Sequence, residues 1–267
     1  MMGCIGTGSR NFHINPFYMN RTVIVTGGSK GLGASISAAF YAAGDKVAIL
    51  SRNDTGFAAQ LGERARFFAT DISKPSLIKT SFEQVLQWAG SIDVLVNNAG
   101  YSGWKPLEKI DEDFWDNMIA TNLKGVLFAS QNAAAVMKAG SSIINISSLA
   151  GKRGSANNSV YCASKFGVNG ITQSLAKELG IHGIRVNAVC PVYLRTEGLE
   201  EALNETDSPA KGGDLSNYLN EFAKTQTALG VLPTEEQVAA TCVFLASVGA
   251  GAITGQCINV DCGVLPQ

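Results

Sequence analysis

Short apolar runs alternate with stretches of helical periodicity along most of the chain. The apolar, β-branched runs predict strands at residues 22–26, 46–50, 65–69, 94–97, 142–147, 185–189 and 257–260. The intervening stretches predict helices at 34–43, 77–89, 111–138, 160–179 and 235–246. Such alternation is typical of crossover units in a parallel sheet. We therefore expect an α/β fold, a doubly wound parallel sheet flanked by helices on both faces.

The alternation continues without an internal linker, so residues 21–267 are expected to form a single domain. Residues 1–20 lack periodicity and predict a separate N-terminal arm, either flexible or an extension ahead of Met19. The segment 196–230 is rich in Glu, Asn, Ser and Gly and interrupts the pattern before the last helix. Long insertions of this kind are either disordered loops or substrate lids.

Composition and charge limit the classes of partner. The 267 residues carry 21 basic and 22 acidic side chains, and 46% are hydrophobic. This balance supports a large core and argues against nucleic-acid or anionic-membrane partners. The uncharged stretch 237–260 contains polar residues and glycines, which indicates a helix, a turn and a strand rather than a membrane span. Because the N-terminus lacks a secretory pattern, we expect a cytoplasmic protein.

The metal-ligating residue types are sparse and dispersed. Six cysteines occur without a Cys-x-x-Cys pair, and there are two histidines. Zinc sites need clustered ligands, so we expect no metal site. Small buried cysteines in a reducing compartment account for the pattern.

Glycines cluster between the first predicted strand and the first predicted helix. The sequence there is Thr26-Gly27-Gly28-Ser29-Lys30-Gly31-Leu32-Gly33. Glycine lets the backbone turn sharply and approach a pyrophosphate, and the N–H groups of a helix N-terminus attract phosphate. The loop therefore predicts a Rossmann-type dinucleotide-binding domain. Its Gly-x-x-x-Gly-x-Gly spacing departs from the common Gly-x-Gly-x-x-Gly fingerprint.

A tyrosine and a lysine occupy one face of the fourth predicted helix. Tyr161 and Lys165 lie one helical turn apart. An ammonium near a phenol favours the phenolate, which otherwise forms near pH ~10. Asn98 and Ser148 follow two predicted strands, and parallel sheets bind ligands beyond the carboxyl ends of their strands. With Asn122, we expect these side chains to converge with the glycine loop on one crevice.

In this order and spacing, the motifs resemble the short-chain dehydrogenase/reductase family, in its shorter branch. The resemblance covers residues 21–263 and rests on Thr26–Gly33, Asp71, Asn97–Gly100, Asn122, Ser148, Tyr161, Lys165 and the segment 187–191. It implies an oxidoreductase that interconverts a secondary alcohol and a ketone or aldehyde by hydride transfer, with NAD(P) as the acceptor. Val192 follows Pro191 where the family often has glycine, so the pocket is expected to be narrower.

The resemblance also implies a role for each catalytic residue. Tyr161 would be the general acid–base, and Ser148 would hydrogen-bond the reacting oxygen. Lys165 would contact the nicotinamide ribose and lower the pKa of the tyrosine. Asn122 would support a water-mediated proton relay.

The cofactor residues follow from the same resemblance. Asp71 and Ile72 would lie near the adenine, Asn98 near the cofactor ribose and Thr196 near the carboxamide. The expected cofactor-binding residues are Gly27, Ser29, Lys30, Gly31, Leu32, Gly33, Ser51, Arg52, Asp71, Ile72, Asn98, Ala99, Gly100, Tyr161, Lys165, Pro191 and Thr196.

The end of the second predicted strand indicates NADP(H) as the preferred cofactor, with NAD(H) as the alternative. NAD-binding Rossmann proteins place an acidic residue there to bind the ribose hydroxyls. Here the strand is followed by Ser51 and Arg52, and Asp54 comes later. Ser51 can donate to a 2′-phosphate and Arg52 can bind it bidentately. Lys30 would add a second positive charge.

The resemblance places the substrate between three loops. The expected pocket residues are Ser102, Trp104, Leu149, Asn158, Val192 and Tyr193. Their mixture of apolar and hydrogen-bonding groups favours a small hydroxylated ketone, a polyol or a sugar. Lys152 and Arg153 could instead meet a phosphopantetheine or a carboxylate, which supports a 3-oxoacyl-thioester (acyl carrier protein) reductase.

Two other functions remain open from the sequence. A catalytically silent nucleotide-binding sensor would use the same fold, although such proteins usually lack one of the four catalytic residues. A nucleotide-sugar epimerase or dehydratase resembles the longer branch of the family, and the glycine spacing and short C-terminal region argue against it.

The resemblance further implies a homo-oligomer, either a dimer or a homotetramer. Family members often pair the helices corresponding to 111–138 and 160–179. Four alanines could allow close packing there, Ala129, Ala133, Ala134 and Ala135. A buried face within the chain explains these alanines equally well. Residues 264–267 would either bind a divalent ion beside a neighbouring subunit or form a disordered tail.

Overall fold

A seven-stranded parallel sheet forms the centre of the molecule, in a computed structural model that describes residues 20–266. The strands follow the order β3-β2-β1-β4-β5-β6-β7. They are β1 Thr22–Thr26, β2 Lys46–Ser51, β3 Ala65–Ala69, β4 Val94–Asn97, β5 Ser142–Ile146, β6 Arg185–Pro191 and β7 Cys257–Val260. Strand addition reverses direction after β3, so the carboxyl ends of β1 and β4 border a crevice of the kind that binds ligands in such sheets.

Nine α-helices occur within the described residues. They are α1 Gly31–Ala42, α2 Phe57–Leu61, α3 Pro75–Ala89, α4 Glu112–Ile119, α5 Gly125–Ala134, α6 Ser159–Gly180, α7 Glu197–Leu203, α8 Leu215–Gln226 and α9 Glu235–Leu245. One apolar cluster joins the sheet to α1 and α9, and a second joins its other face to α3, α5 and α6. Burial on both faces explains the nearly continuous apolar strands.

The apolar periodicity predicts all seven strands correctly, with differences at three C-terminal ends. β2 and β6 are longer than expected, and β5 ends before Ser147. The predicted helix 111–138 is divided, because a π-helical turn at Ala120–Lys124 separates α4 from α5. Helices α2, α7 and α8 lie in segments where the sequence predicted none.

The segment 196–230, called the lid below after the predicted substrate lid, is ordered, which corrects the disordered-loop alternative. Helices α7 and α8 both lie within it, and each begins with a side-chain cap, from Thr196 and Asp214. Leu203 and Leu219 are fully buried in a third apolar cluster together with Trp104. The lid therefore has its own small core, which a disordered loop would lack.

Part of the domain prediction lies outside the described residues. The N-terminal arm falls almost entirely on residues 1–19, and the C-terminal ion prediction includes Gln267. Between residues 20 and 266, no helix combines the length and the apolar character needed to cross a membrane.

Candidate active site

The glycine loop connects β1 to α1 and presents the helix N-terminus to the crevice. Gly27 has φ 64° and Gly31 has φ 49°, in the left-handed region that favours glycine. A Cβ at Gly33 would collide with the carbonyl of Gly27. Helix α1 has no side-chain cap and no acidic residue in its first turn. Its first N–H groups therefore have no side-chain competitor for phosphate.

Thr26 fastens the glycine loop to the end of β4, a role that the sequence reasoning missed. Its hydroxyl accepts hydrogen bonds from the amides of Asn98 and Ala99, both at 3.0 Å. The Asn98 amide group donates to the carbonyls of Thr26 and Gly27. A polar threonine that ends an apolar strand immediately before a glycine loop was the available signal.

The end of β2 forms the predicted ribose-recognition corner. The Ser29 hydroxyl donates to the Ser51 hydroxyl at 2.9 Å, and Arg52 is exposed beside them. The Asp54 carboxylate accepts a hydrogen bond from the amide of Gly56 at 2.8 Å. The first acid after β2 in the sequence therefore closes a local turn.

Lys30, the second positive charge predicted to bind the 2′-phosphate, forms an ion pair with a glutamate. The Lys30 ammonium lies 3.5 Å from the carboxylate of Glu197 in α7, and both side chains are exposed. Thr196, which precedes Glu197, is also close to the glycine loop, because a Cβ at Gly31 would contact its side chain at 3.7 Å. The first turn of the lid thus borders the phosphate end of the crevice.

Asp71 and Ile72 follow β3 at the adenine end of the crevice. Asp71 accepts hydrogen bonds from the amide and hydroxyl of Ser73 at 3.0 and 2.7 Å. Burial opposes ionisation, but these bonds and the charges of Lys74 and Arg52 keep the pKa of Asp71 below its usual value. Ile72 is buried, and a Cβ at Gly125 would meet it at van der Waals distance or closer.

The π-helical turn positions Asn122. This side chain is buried, accepts from the Tyr101 amide at 3.1 Å and donates to the Tyr101 carbonyl at 2.8 Å. It also donates to the Ser164 hydroxyl at 3.3 Å. π-helical turns occur frequently at functional sites. Asn122 therefore connects the loop after β4 to the helix that carries Tyr161 and Lys165.

The hydroxyl of Ser148 lies close enough to the phenol of Tyr161 to act on its pKa. Ser148 follows β5 and accepts from the amide of Ala150 at 3.1 Å, which fixes its side chain. Burial raises the pKa of Tyr161 to about 12, although Ser148 acts in the opposite direction. At neutral pH the phenol is protonated.

Lys165 is buried at the floor of the crevice. Its ammonium donates to the carbonyl of Ile146 at 2.8 Å and lies 5.6 Å from the centre of the Tyr161 ring. A Cβ at Gly100 would lie 3.0 Å from the Asn122 amide oxygen and 3.7 Å from the Lys165 nitrogen. The four expected catalytic residues are therefore brought together at the ends of β4 and β5.

The resemblance implied that Lys165 lowers the pKa of Tyr161, and burial of the two side chains acts in the opposite direction. Burial raises the pKa of Tyr161 to about 12 and lowers the pKa of Lys165 to about 8. Both shifts have the same cause, since a buried site disfavours the charged form of either group. Burial therefore favours a neutral phenol, and the effect of Lys165 on Tyr161 stays a prediction.

Two of the predicted substrate residues, Trp104 and Tyr193, pack against the lid. The Tyr193 ring centre lies 4.8 Å from that of Phe222 in α8, and Tyr193 packs on the same apolar cluster as Trp104. Leu149 and Asn158 are buried, while Ser102 and Val192 are half-buried. The narrowing expected from Val192 stays a prediction.

Hydrogen bonds hold the lid to both neighbouring loops. Asn157 donates to the carbonyl of Asp207 at 3.2 Å, and the Lys109 ammonium lies 2.8 Å from the Asp207 carboxylate. Lys152 is bound to β7, because its ammonium donates to the carbonyl of Cys257 at 2.6 Å. One of the two charges that favoured a thioester substrate is therefore already engaged.

Comparison with known proteins gives the family. A family model described as enoyl-(acyl carrier protein) reductase matches residues 27–265. The 3-oxoacyl-[acyl-carrier-protein] reductase of Chlamydia trachomatis is 36% identical over 255 residues, covering 92% of this chain and 98% of the relative. The chain belongs to the short-chain dehydrogenase/reductase family.

Two other members of the short-chain dehydrogenase/reductase family show the range of substrates among its relatives. The acetoacetyl-CoA reductase of Shinella zoogloeoides is 38% identical over 251 residues, covering 92% of this chain and 98% of the relative. The solved structure of Thermoplasma acidophilum aldohexose dehydrogenase has a TM-score of 0.84 at 32% identity, covering 94% of this chain and 99% of the other. This short-chain dehydrogenase/reductase is an oxidoreductase of the class that uses NAD(P)(H).

Proposed function

We propose that this enzyme reduces a small hydroxylated carbonyl compound, a keto sugar or the ketone form of a polyol, with NADPH. The observation that carries the substrate class is the Asn158 amide oxygen. It is buried and has no hydrogen-bond partner among the described residues. Asn158 precedes Tyr161 by one helical turn, so both residues lie on one side of α6.

The unpaired Asn158 oxygen indicates that a substrate should bring a hydrogen-bond donor to this position. The Asn158 amide nitrogen donates to the Ser155 hydroxyl at 3.4 Å, which leaves the oxygen as a free acceptor. A buried acceptor without a donor costs about 1–3 kcal/mol. A substrate hydroxyl next to the reacting carbonyl would satisfy it, whereas the methylene chain of a simple ketone would not.

The proposed proton transfer uses the neighbouring hydroxyls of Ser148 and Tyr161. The nicotinamide supplies a hydride to the carbonyl carbon when it is bound. Tyr161 donates its proton to the developing alkoxide, and Ser148 donates a hydrogen bond to the same oxygen. Since the pKa of Tyr161 is about 12, the phenol is in the acid form that reduction requires. Lys165 holds the ribose, and Asn122 supports the relay that returns a proton to Tyr161.

The NADP(H) preference rests on the corner after β2. The Ser51 hydroxyl accepts from Ser29, so its own proton is free to donate to a 2′-phosphate. Arg52 is exposed at the same corner, and Asp54 is engaged with the Gly56 amide. Lys30 would have to break its ion pair with Glu197 to bind the 2′-phosphate. Arg52 therefore supplies the principal positive charge.

Reduction of a 3-oxoacyl thioester is the second candidate. It is favoured by the 3-oxoacyl-[acyl-carrier-protein] reductase relative and by Arg153, which lies close enough to Tyr193 to influence its pKa. The hydrogen bond of Lys152 to the Cys257 carbonyl counts against it.

The two candidates are separated by kcat/KM with NADPH for a series of keto sugars and aldoses and for an acetoacetyl thioester. We expect the hydroxylated substrates to react faster. The variant Asn158→Leu removes the acceptor while keeping the number of side-chain heavy atoms and should raise KM for a hydroxylated substrate roughly tenfold. Thioester reduction serves as the internal control, because it does not use that acceptor. Faster thioester reduction in the parent enzyme would reverse the assignment, and tight NADPH binding without turnover of either class would indicate a sensor.

We also propose a homo-oligomer that pairs the helical layer of α4, α5 and α6. Three large side chains are exposed on that layer, Trp115 at 46%, Leu127 at 42% and Phe166 at 48%. Exposed apolar patches of this kind mark interaction sites. Two of the alanines that suggested a contact between subunits, Ala129 and Ala133, are fully buried within the chain and therefore pack in its own core.

A further inference from the structure

Two thiols lie side by side on strands β6 and β7. In the parallel register, Cys257 pairs with Ala188, which is two residues before Cys190. Side chains two residues apart on a strand share a face, so both cysteines project towards α6. The two thiols lie close enough for each to shift the pKa of the other. Both cysteines are in the free thiol form.

The inner thiol adjoins the candidate active site. Cys190 is fully buried, directly precedes Pro191, and its sulfur lies 4.0 Å from the Asn169 amide oxygen in α6. It is also close enough to Tyr161 and Lys165 to influence the pKa of each. A covalent change at Cys190 would therefore alter the surroundings of Tyr161, Lys165 and Pro191.

The outer thiol is the accessible and activated one. Cys257 is half-buried at the first residue of β7, an edge strand. The neighbouring Cys190 thiol and the charge of Lys152 lower the pKa of Cys257, while burial opposes them. The Lys152 ammonium is held nearby through its bond to the Cys257 carbonyl. A thiolate beside a cation is the reactive form of cysteine.

We propose that Cys190 and Cys257 are a reversible redox switch, in which a peroxide oxidises the two thiols to a disulfide that inactivates the enzyme. The Cys257 thiolate attacks one peroxide oxygen, which breaks the O–O bond, releases water and leaves a sulfenic acid. The Cys190 thiol then attacks that sulfur, forms the S–S bond and releases a second water. Two thiols are oxidised by two electrons, and one hydrogen peroxide is reduced to two water molecules.

Disulfide formation requires β7 to move. Diagonal neighbours on adjacent strands are about 7–8 Å apart, whereas most disulfides join Cα atoms about 4.4–6.8 Å apart. Because β6 and β7 are already paired at hydrogen-bonding distance and the two cysteines are offset by two residues, the edge strand must slide along β6 to bring them together, which displaces Cys190 relative to Tyr161 and Pro191. A disulfide that forms against such resistance is easily reduced, as reversibility requires. The loss of activity rests on the proposed function, but formation of the disulfide does not.

The test uses the full chain treated with hydrogen peroxide, followed by alkylation of the free thiols and peptide mass mapping. We expect a peptide pair linked through Cys190 and Cys257. Reductase activity should fall in proportion to the linked fraction and return with dithiothreitol. Cys257→Ser should keep the basal activity and resist peroxide. Cys262→Ser, which removes the other half-buried thiol, is the matched control and should stay sensitive.

Two results would overturn the proposal. One is alkylated Cys190 together with free or further oxidised Cys257 after peroxide treatment. The other is a complete Cys190–Cys257 disulfide with unchanged activity. If the parent enzyme reduces none of the carbonyl compounds, the peptide map still decides the disulfide, and NADPH affinity before and after oxidation replaces activity as the second readout.

Discussion

The hydroxyl of Ser148 lies close enough to the phenol of Tyr161 to lower its pKa, at the point where the loop after β5 meets the first turn of α6. The amide of Ala150 holds Ser148 from the other side. One substrate oxygen can therefore meet both hydroxyls without rearrangement of the protein. Such pre-positioned donors act where negative charge develops in a transition state.

Removal of the phenol tests the proton-transfer assignment. Tyr161→Phe should lower kcat at least ~100-fold, because a positioned general acid contributes that much or more. NADPH affinity, measured by fluorescence titration, should be nearly unchanged. Tyr41→Phe removes a hydroxyl beside Gly62 and is the control. Turnover within a few-fold of the parent enzyme would refute the role of Tyr161.

The pH dependence of reduction should follow Lys165. Its pKa is lowered by burial to about 8, so the ammonium form predominates below that pH and is lost above it. Tyr161 stays protonated throughout, because its pKa is about 12. We therefore expect kcat/KM for reduction with NADPH to fall as the pH rises through about 8. A rate that is flat across this range, in protein that circular dichroism shows to be folded, would contradict the prediction.

Arg52 should discriminate between the two nicotinamide cofactors. Arg52→Ala should weaken NADPH roughly 10- to 100-fold, as expected for one charge-assisted contact, and leave NADH little changed. Ser51→Asp should shift the preference towards NADH, since a carboxylate repels the 2′-phosphate and accepts from ribose hydroxyls. Arg66→Ala removes another exposed arginine and is the control. A parent enzyme with a higher kcat/KM for NADH than for NADPH would refute the role of Ser51 and Arg52 in binding the 2′-phosphate.

The start of the sheet depends on a buried ion pair. Arg21 bonds the Asp45 carboxylate at 3.0 and 2.7 Å and the Ala246 carbonyl at 2.7 Å, and the Asp45 side chain is fully buried. Arg21→Met should lower the free energy of unfolding by about 3–5 kcal/mol, because it leaves a buried carboxylate without its partner. Urea denaturation measures the change. The surface variant Arg66→Ala should alter it far less, and an equal effect of both would argue against a structural role for the pair.

The proposed helical interface has a direct test. Leu127→Glu places a charge on the exposed layer of α5 and should convert the oligomer to a smaller species in light scattering. Leu107→Glu alters a side chain that is 83% exposed outside this layer and should leave the mass unchanged. A monomeric parent chain at micromolar concentration would refute the interface.

Local sequence determined the strands and the glycine loop. Apolar runs and a 3.6-residue period are properties of consecutive residues, which is why β1, β3, β4 and β7 have the predicted bounds. The glycines were equally readable, because only a residue without Cβ tolerates the approach between Gly33 and the Gly27 carbonyl.

The tertiary structure decided which partners the polar and lid residues find. Helix α8 is buried through Leu219 only because Trp104 and the loop after β4 lie beneath it. The Asp54 carboxylate accepts a hydrogen bond from the Gly56 amide, and the Lys152 ammonium donates one to the Cys257 carbonyl. The Asn158 amide oxygen has no hydrogen-bond partner among the described residues. The period of apolar side chains is set by residues that are close in the sequence. A hydrogen-bond partner or a pKa depends instead on groups that come together only when distant strands and helices assemble.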